Sequence, residues 1–118
     1  MRRKFIAGNW KMFNGPAATS EYFNKFGAEI AAAPEVQSAV AEKTEEIALF
    51  VPAILLPAAV AGASALPVII GGENVHWEKS GAFTGEISVP MLTEVGVTHV
   101  LIGHSERRHI FRETDAEL

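Results

Sequence analysis

No cysteine occurs among the 118 residues. That excludes a disulfide framework and any thiolate metal site, and it suits a reducing compartment, the cytoplasm by default. Nor is there an excess of positive charge, since 10 Lys and Arg stand against 14 Asp and Glu for a formal net charge of −4. Apart from Arg2-Arg3-Lys4 and Arg107-Arg108 the two signs are interspersed, so there is no basic stripe for a nucleic-acid backbone. The basic start is followed only by Phe5-Ile6-Ala7, well short of the roughly 7 to 15 apolar residues of an export signal. A longer uncharged run, Ile47 to Ile70, has the length to cross roughly 30 Å of hydrocarbon. Pro52, Pro57, Pro67 and Gly62 interrupt it, however, and its alanine-rich middle is weakly apolar. It reads as strand, loop, helix and strand buried in an α/β core, not as a membrane span.

What is present alternates. Lys4 to Gly8 is predicted as a first strand, with Asn9-Trp10-Lys11-Met12 at its carboxyl end. After the turn at Asn14-Gly15-Pro16, the residues Tyr22, Phe23, Phe26 and Ile30 recur at helical spacing, which predicts an amphipathic helix over Ala17 to Ala33, capped by Thr19 or Ser20. Pro34 to Glu46 is a polar connection with a further turn or two of helix carrying Val36 and Val40. Ile47 to Val51 lacks polar alternation and so predicts a strand covered on both faces. A small-residue helix over Pro57 to Ala65 and a third strand at Val68 to Ile70 follow, the strand ended by Gly71-Gly72 and then by Glu73-Asn74. The loop Val75 to Glu86 holds His76, Trp77 and Phe83, too apolar for an idle solvated loop; it either docks on a partner or packs on its own domain. Ile87 to Val95 is the next helix, with Ile87, Met91, Leu92 and Val95 on one side and Gly96 as its C-cap. Thr98 to Ile102 makes the fourth strand. Thr114 to Glu117 reads as a capping box, so the chain is expected to stop in the first turn of a fourth helix. One α/β domain over residues 1–118, built on a parallel sheet, accounts for the order.

Every predicted strand ends in polar residues, and Gly103-His104-Ser105-Glu106-Arg107-Arg108 is the densest such end. If the backbone turns helical at Ser105, His104 lies at the positive end of a helix dipole, which disfavours imidazolium and leaves a neutral, electrophilic donor. Three rival chemistries fail on the same residues. Gly103-His104-Ser105 begins like a nucleophile elbow, but Arg107 occupies the closing position where a glycine is needed. His99, His104 and His109 are spaced so that successive imidazoles point to different sides, against a shared metal. Gly71-Gly72 lacks the third glycine of a dinucleotide site. The remaining set is Asn9, Lys11, His104 and Glu106 at one edge. Lys11 offers a fixed charge, His104 polarises a carbonyl, Asn9 orients an oxygen and Glu106 holds Lys11, a set suited to proton abstraction beside a carbonyl.

Three segments carry a family resemblance. Phe5 to Met12 resembles the first strand and substrate-binding turn of the triosephosphate isomerase family, Gly81 to Glu86 its third loop, and Gly103 to Arg108 its electrophile segment. The resemblance runs the length of the chain and implies the first four strands of a (β/α)8 barrel, a half barrel. It implies that Asn9 and Lys11 bind a phosphorylated triose, that His104 is the electrophile, and that Glu106 supports Lys11. Neither cofactor nor metal is implied, and the setting is cytoplasmic glycolysis and gluconeogenesis. It also implies a homodimer in which the Val75 to Glu86 loop inserts into a second subunit through Phe83, Thr84 and Gly85. The family's glutamate base, lid and phosphate loops belong to a second half outside these residues, so the chain is expected to be inactive until completed by that half. Lack of a general base alone costs roughly 10² to 10⁴ in rate. The alternative is a half barrel that only self-associates, as a folding or assembly module, through its open sheet edges.

Overall fold

Short runs of β-branched and aromatic residues, separated by segments of helical period, become strands that cannot pair with the next one until a helix has carried the chain back. The computed structural model describes residues 2–118. In chain order they form β1 (Lys4–Asn9), α1 (Pro16–Ala31), α2 (Pro34–Ala41), β2 (Glu45–Val51), a 3₁₀ turn (Ala53–Leu55) leading into α3 (Leu56–Ala63), β3 (Ile69–Gly72), α4 (Val89–Val95), β4 (His99–Val100), α5 (Ser105–His109) and a closing 3₁₀ turn (Asp115–Glu117). The sheet has four strands in the order β1-β2-β3-β4, each parallel to its neighbour. Among the described residues no helix is long and apolar enough to cross a membrane.

Side chains alternate across a strand, so the two faces of the sheet separate by position. Leu49, Val51 and Ile70 pack outward against Phe23 of α1, Leu56, Ala59 and Ala63 of α3, and Leu92 of α4, forming the core. The opposite face is the concave one. There Asn9, Phe50, Gly71 and His99 lie in one register row across all four strands. Gly71 makes that row possible, because a Cβ there would come within 2.5 Å of the Phe50 ring. Likewise Gly62 lets α3 approach α1, since its Cβ would stand 2.7 Å from that of Phe23.

Several expectations shift by a few residues, each for a local reason. Helix α1 begins at Pro16 with Gly15 as N-cap, and neither Thr19 nor Ser20 caps it. Their hydroxyls instead donate back along the helix, to the carbonyls of Gly15 (2.9 Å) and Pro16 (3.3 Å). The connection after Pro34 holds two full turns, α2, tied to α1 by the Gln37 amide donating to the Ile30 carbonyl at 2.8 Å. Strand β4 is shorter than Thr98 to Ile102 because β3, its only neighbour among the described residues, ends at Gly72; Leu101 still donates its N–H to the Gly72 carbonyl at 2.8 Å. Helix α4 starts at Val89 behind the Ser88 N-cap and not at Ile87, which packs on the core from the loop before it, and Met91 is half exposed and does not join Leu92 and Val95 on the buried side. Gly96 does end that helix in the left-handed region, at φ 96°. At Thr114 the Glu117 carboxylate accepts from the backbone N–H (2.6 Å), the half of the capping box that reaches back, while the Thr114 hydroxyl donates to the same carboxylate (2.8 Å) and the Glu117 N–H goes to the Thr114 carbonyl (3.1 Å), closing a 3₁₀ turn.

The segment from Glu73 to Ser88 leaves the sheet as an arm. His76 anchors it, its N–H donating to the Ile87 carbonyl at 2.7 Å and its buried ring stacking on Trp77 and lying 4.3 Å from the centroid of Phe83. Trp77 nevertheless stays 62% exposed and Phe83 43%. The arm therefore packs on itself and still presents aromatic surface.

Candidate active site

Three consecutive residues at the end of β1 face in turn the concave side, the core and the concave side again. Asn9 ends the strand. Trp10 donates its N–H to the Phe50 carbonyl (2.9 Å) and turns its ring toward Tyr22 and Phe23 of α1. The chain then bends sharply, and Lys11 takes φ 55°, left-handed for a residue with a side chain. Such a backbone costs of order 1–3 kcal/mol and persists where its surroundings over-determine it. Here the Asn9 carboxamide oxygen accepts from the Lys11 N–H at 2.9 Å, and the Lys11 ammonium donates to Glu106 Oε1 at 2.6 Å.

Glu106 comes from the other side of the sheet. After β4 the chain passes Gly103 at φ 61° and enters α5, with His104 as the N-cap. The Glu106 N–H donates to His104 Nδ1 at 3.3 Å. Glu106 Oε2 also lies 3.3 Å from Nδ1, but a backbone amide is always a donor, so Nδ1 serves as the acceptor and the neutral ring carries its proton on Nε2. The hydrogen bond from Lys11 holds the Glu106 carboxyl below the usual carboxylate range against its own partial desolvation, and the charge of Lys11 adds to the lowering. Two further pairs brace α5: Arg107 Nε donates to Glu113 Oε2 (2.8 Å), and Arg108 Nε to the Gly103 carbonyl (2.8 Å).

Asn9, Lys11, His104 and Glu106 thus line one cavity of about 210 Å³ at the carboxyl edge of the sheet. A fifth polar residue, Glu73, lines it too. Its Oε1 is buried without a hydrogen-bond partner among the described residues. Burial pushes its carboxyl up to about 7; the charge of Glu106 acts in the same direction, and the Lys11 backbone N–H opposes it. The pattern of polar residues after each strand includes Glu73, yet only the shared cavity distinguishes it from any other residue following a strand. Phe83, Thr84 and Gly85 do not line this cavity; they are exposed on the arm.

The family model for triosephosphate isomerase matches residues 4–118. The chain belongs to the triosephosphate isomerase family. It is 45% identical over 117 residues to the triosephosphate isomerase of Solibacter usitatus, an alignment that takes in 98% of this chain and 43% of that protein. With the triosephosphate isomerase of Acetivibrio thermocellus it shares 43% identity over 116 residues, covering 42% of that protein. A crystal structure of triosephosphate isomerase from Bartonella henselae superposes with a TM-score of 0.74 at 40% identity, covering 98% of this chain and 44% of that one. The chain therefore spans less than half the length of the relatives it matches. As a member of this family, its four parallel strands and flanking helices form a half of a (β/α)8 barrel. In such barrels residues at the carboxyl ends of the strands are the reactive ones; Asn9 is the last residue of β1, and Lys11, Glu73 and His104 follow strands at that edge.

Proposed function

We propose that this chain supplies the electrophilic side of a triosephosphate isomerase site, which interconverts dihydroxyacetone phosphate and D-glyceraldehyde 3-phosphate through an enediolate. The reaction moves a proton between adjacent carbons, and negative charge grows on the two substrate oxygens as the C–H bond breaks. His104 donates from Nε2 to the carbonyl oxygen, and Lys11 brings a fixed positive charge to the anionic substrate. Asn9, whose oxygen is already engaged by the Lys11 N–H, has its amide hydrogens free to orient a substrate oxygen. Glu106 is the anchor of Lys11. The observation that carries this reading is the 2.6 Å Lys11–Glu106 pair beside an imidazole whose Nδ1 is turned back to its own helix, leaving Nε2 as the donor.

Proton abstraction calls for a carboxylate on the opposite wall of a closed barrel. We take turnover to require four further strands, from a longer polypeptide or from a second molecule, and these 118 residues alone to lack useful activity. The same reading makes the arm carrying Phe83, Thr84 and Gly85 a contact to a second subunit, and sets the enzyme in cytoplasmic glycolysis and gluconeogenesis without cofactor, metal, nucleic acid or membrane. Co-folding the chain with the carboxyl-terminal half of a relative and assaying isomerisation is the test. Turnover is expected, and His104→Gln or Lys11→Met should lower kcat by about 10² or more. A folded complex without turnover would overturn the reading. The open β1 edge, with Phe5 49% and Ile6 51% exposed, favours one rival, a self-associating module without catalysis; a stable, inert homo-oligomer that excludes the added half would support it.

A further inference from the structure

His99 opens β4 and has no part in the chemistry proposed above. It stands opposite Gly71 in the register of β3 with β4. Its neighbour Val100 packs against the outer core, so by alternation His99 belongs to the concave face. A Cβ on Gly71 would meet both the Phe50 ring, at 2.5 Å, and the His99 carbonyl, at 3.1 Å, which puts the aromatic residue of β2 and the start of β4 across one glycine from each other. Phe50 is buried, whereas His99, on the edge strand, is exposed. The Thr98 hydroxyl lies 2.8 Å from its Nδ1. No other titratable side chain shares its row, which holds Asn9, Phe50 and Gly71, and the groove beside it on α4 is lined by Val89, Leu92 and Thr93. On the same face the charged groups stand further off along the strands: the Arg3–Glu46 pair toward their amino ends, and Lys11, Glu73, His104 and Glu106 at the carboxyl edge.

The occupant of the concave face follows from length: the chain spans less than half of its relatives, and the remainder is what closes the barrel in them. A closed barrel of this kind has no pore, because inward side chains from alternate strands fill it in packed layers. His99 would then be enclosed. Water is lost from the ring, and an imidazolium without a counter-charge is disfavoured there. We propose that His99 makes closure of the barrel proton-sensitive: the four further strands enclose its imidazole uncharged, and so bind the deprotonated chain in preference. Imidazole changes charge between pH 5 and 8. Closure is therefore favoured on the alkaline side of that range and opposed on the acid side. The inference rests on completion of the barrel as argued above, and not on turnover.

The experiment titrates the 118-residue chain with the carboxyl-terminal half of a relative, by calorimetry, from about pH 5 to 8. The dissociation constant is expected to rise on acidification by up to about tenfold per pH unit, the limit for one linked proton. His99→Gln and His99→Phe should remove that dependence. Glu73→Gln, which deletes a carboxyl titrating at about 7, and His104→Asn should leave it in place. In the unsubstituted chain the His99 Cε1 proton resonance should titrate when the chain is free and keep its neutral position in the complex, a comparison that needs no variant to fold. Affinity that ignores pH, that tightens on acidification, or that keeps its pH dependence after His99→Gln would overturn the proposal and leave the completed barrel standing. Halves that associate at no pH would overturn the barrel reading, and the proposal with it.

Discussion

At Lys11 a side chain with a job sits on a backbone better suited to glycine, and the two roles can be separated. Lys11→Gly and Lys11→Ala both delete the ammonium, but only glycine relaxes at φ 55°. The glycine variant should be the more stable by about 1 kcal/mol in urea unfolding, and equal midpoints would mean that the backbone there is unstrained. Glu73 makes a pH-dependent prediction. Its folded-state carboxyl is raised to about 7 from an ordinary value of 4.5. Below the ordinary value it is protonated folded or unfolded and carries no penalty. Between the two values unfolding releases a proton, so stability falls as pH rises, and above about 7 the loss is complete. Glu73→Gln should therefore stabilise the chain little at acid pH and by order 1 kcal/mol above neutrality, after allowance for solvent screening; thermal unfolding across pH checks it, and a gain that does not change with pH would count against it. Glu106 has the opposite sign: its carboxyl is depressed, so whatever its pairing with Lys11 contributes is present at neutral pH and fades as the medium becomes acid. Asn9, Lys11, His104 and Glu106 were readable in sequence because each is a polar residue just past an apolar strand. The significance of Glu73 was not, because desolvation depends on how β3 and α5 enclose a cavity, and spacing along one chain carries no record of enclosure.

Among the elements, the contact of α3 with α1 depends on Gly62. Gly62→Ala would gain about 1 kcal/mol of helix propensity but press a methyl against Phe23, with an overpacking cost of about 1–3 kcal/mol. A net loss in unfolding free energy is expected in urea, and a gain would mean that α1 and α3 move apart at little cost. The arm makes a different prediction. If Phe83 and Trp77 meet a second subunit, Phe83→Asp should shift the completed enzyme from dimer to monomer in sedimentation velocity, and unchanged sedimentation would remove the arm from the interface. Strands and helices were legible wherever one period dominated, as in Ile47 to Val51 or Tyr22 to Ile30. The ends of elements were not, since the length of β4 is fixed by where β3 stops and the cap of α1 by which turn of chain precedes Pro16. Both are properties of neighbours and not of the residues themselves.

On the scale of the molecule, the half barrel packs its helices on the outer face and leaves the inner one partly open, Phe5 being 49% exposed though Phe50 is buried, with edges at β1 and β4 that pair with no further strand among the described residues. Apolar dyes such as anilinonaphthalene sulfonate should bind the isolated chain and be displaced when a complementary half is added; a chain that excludes the dye on its own would show that it covers its inner face by itself. The parallel sheet was legible in the alternation of strand and helix. Its curvature was not, because it emerges from the twist of all four strands together. The order β1-β2-β3-β4 has one more effect. Because each strand lies beside the one synthesised just before it, no segment has to wait on the ribosome for a distant mate. Translation can lay the sheet down one unit at a time, each new strand templated by an edge already in place.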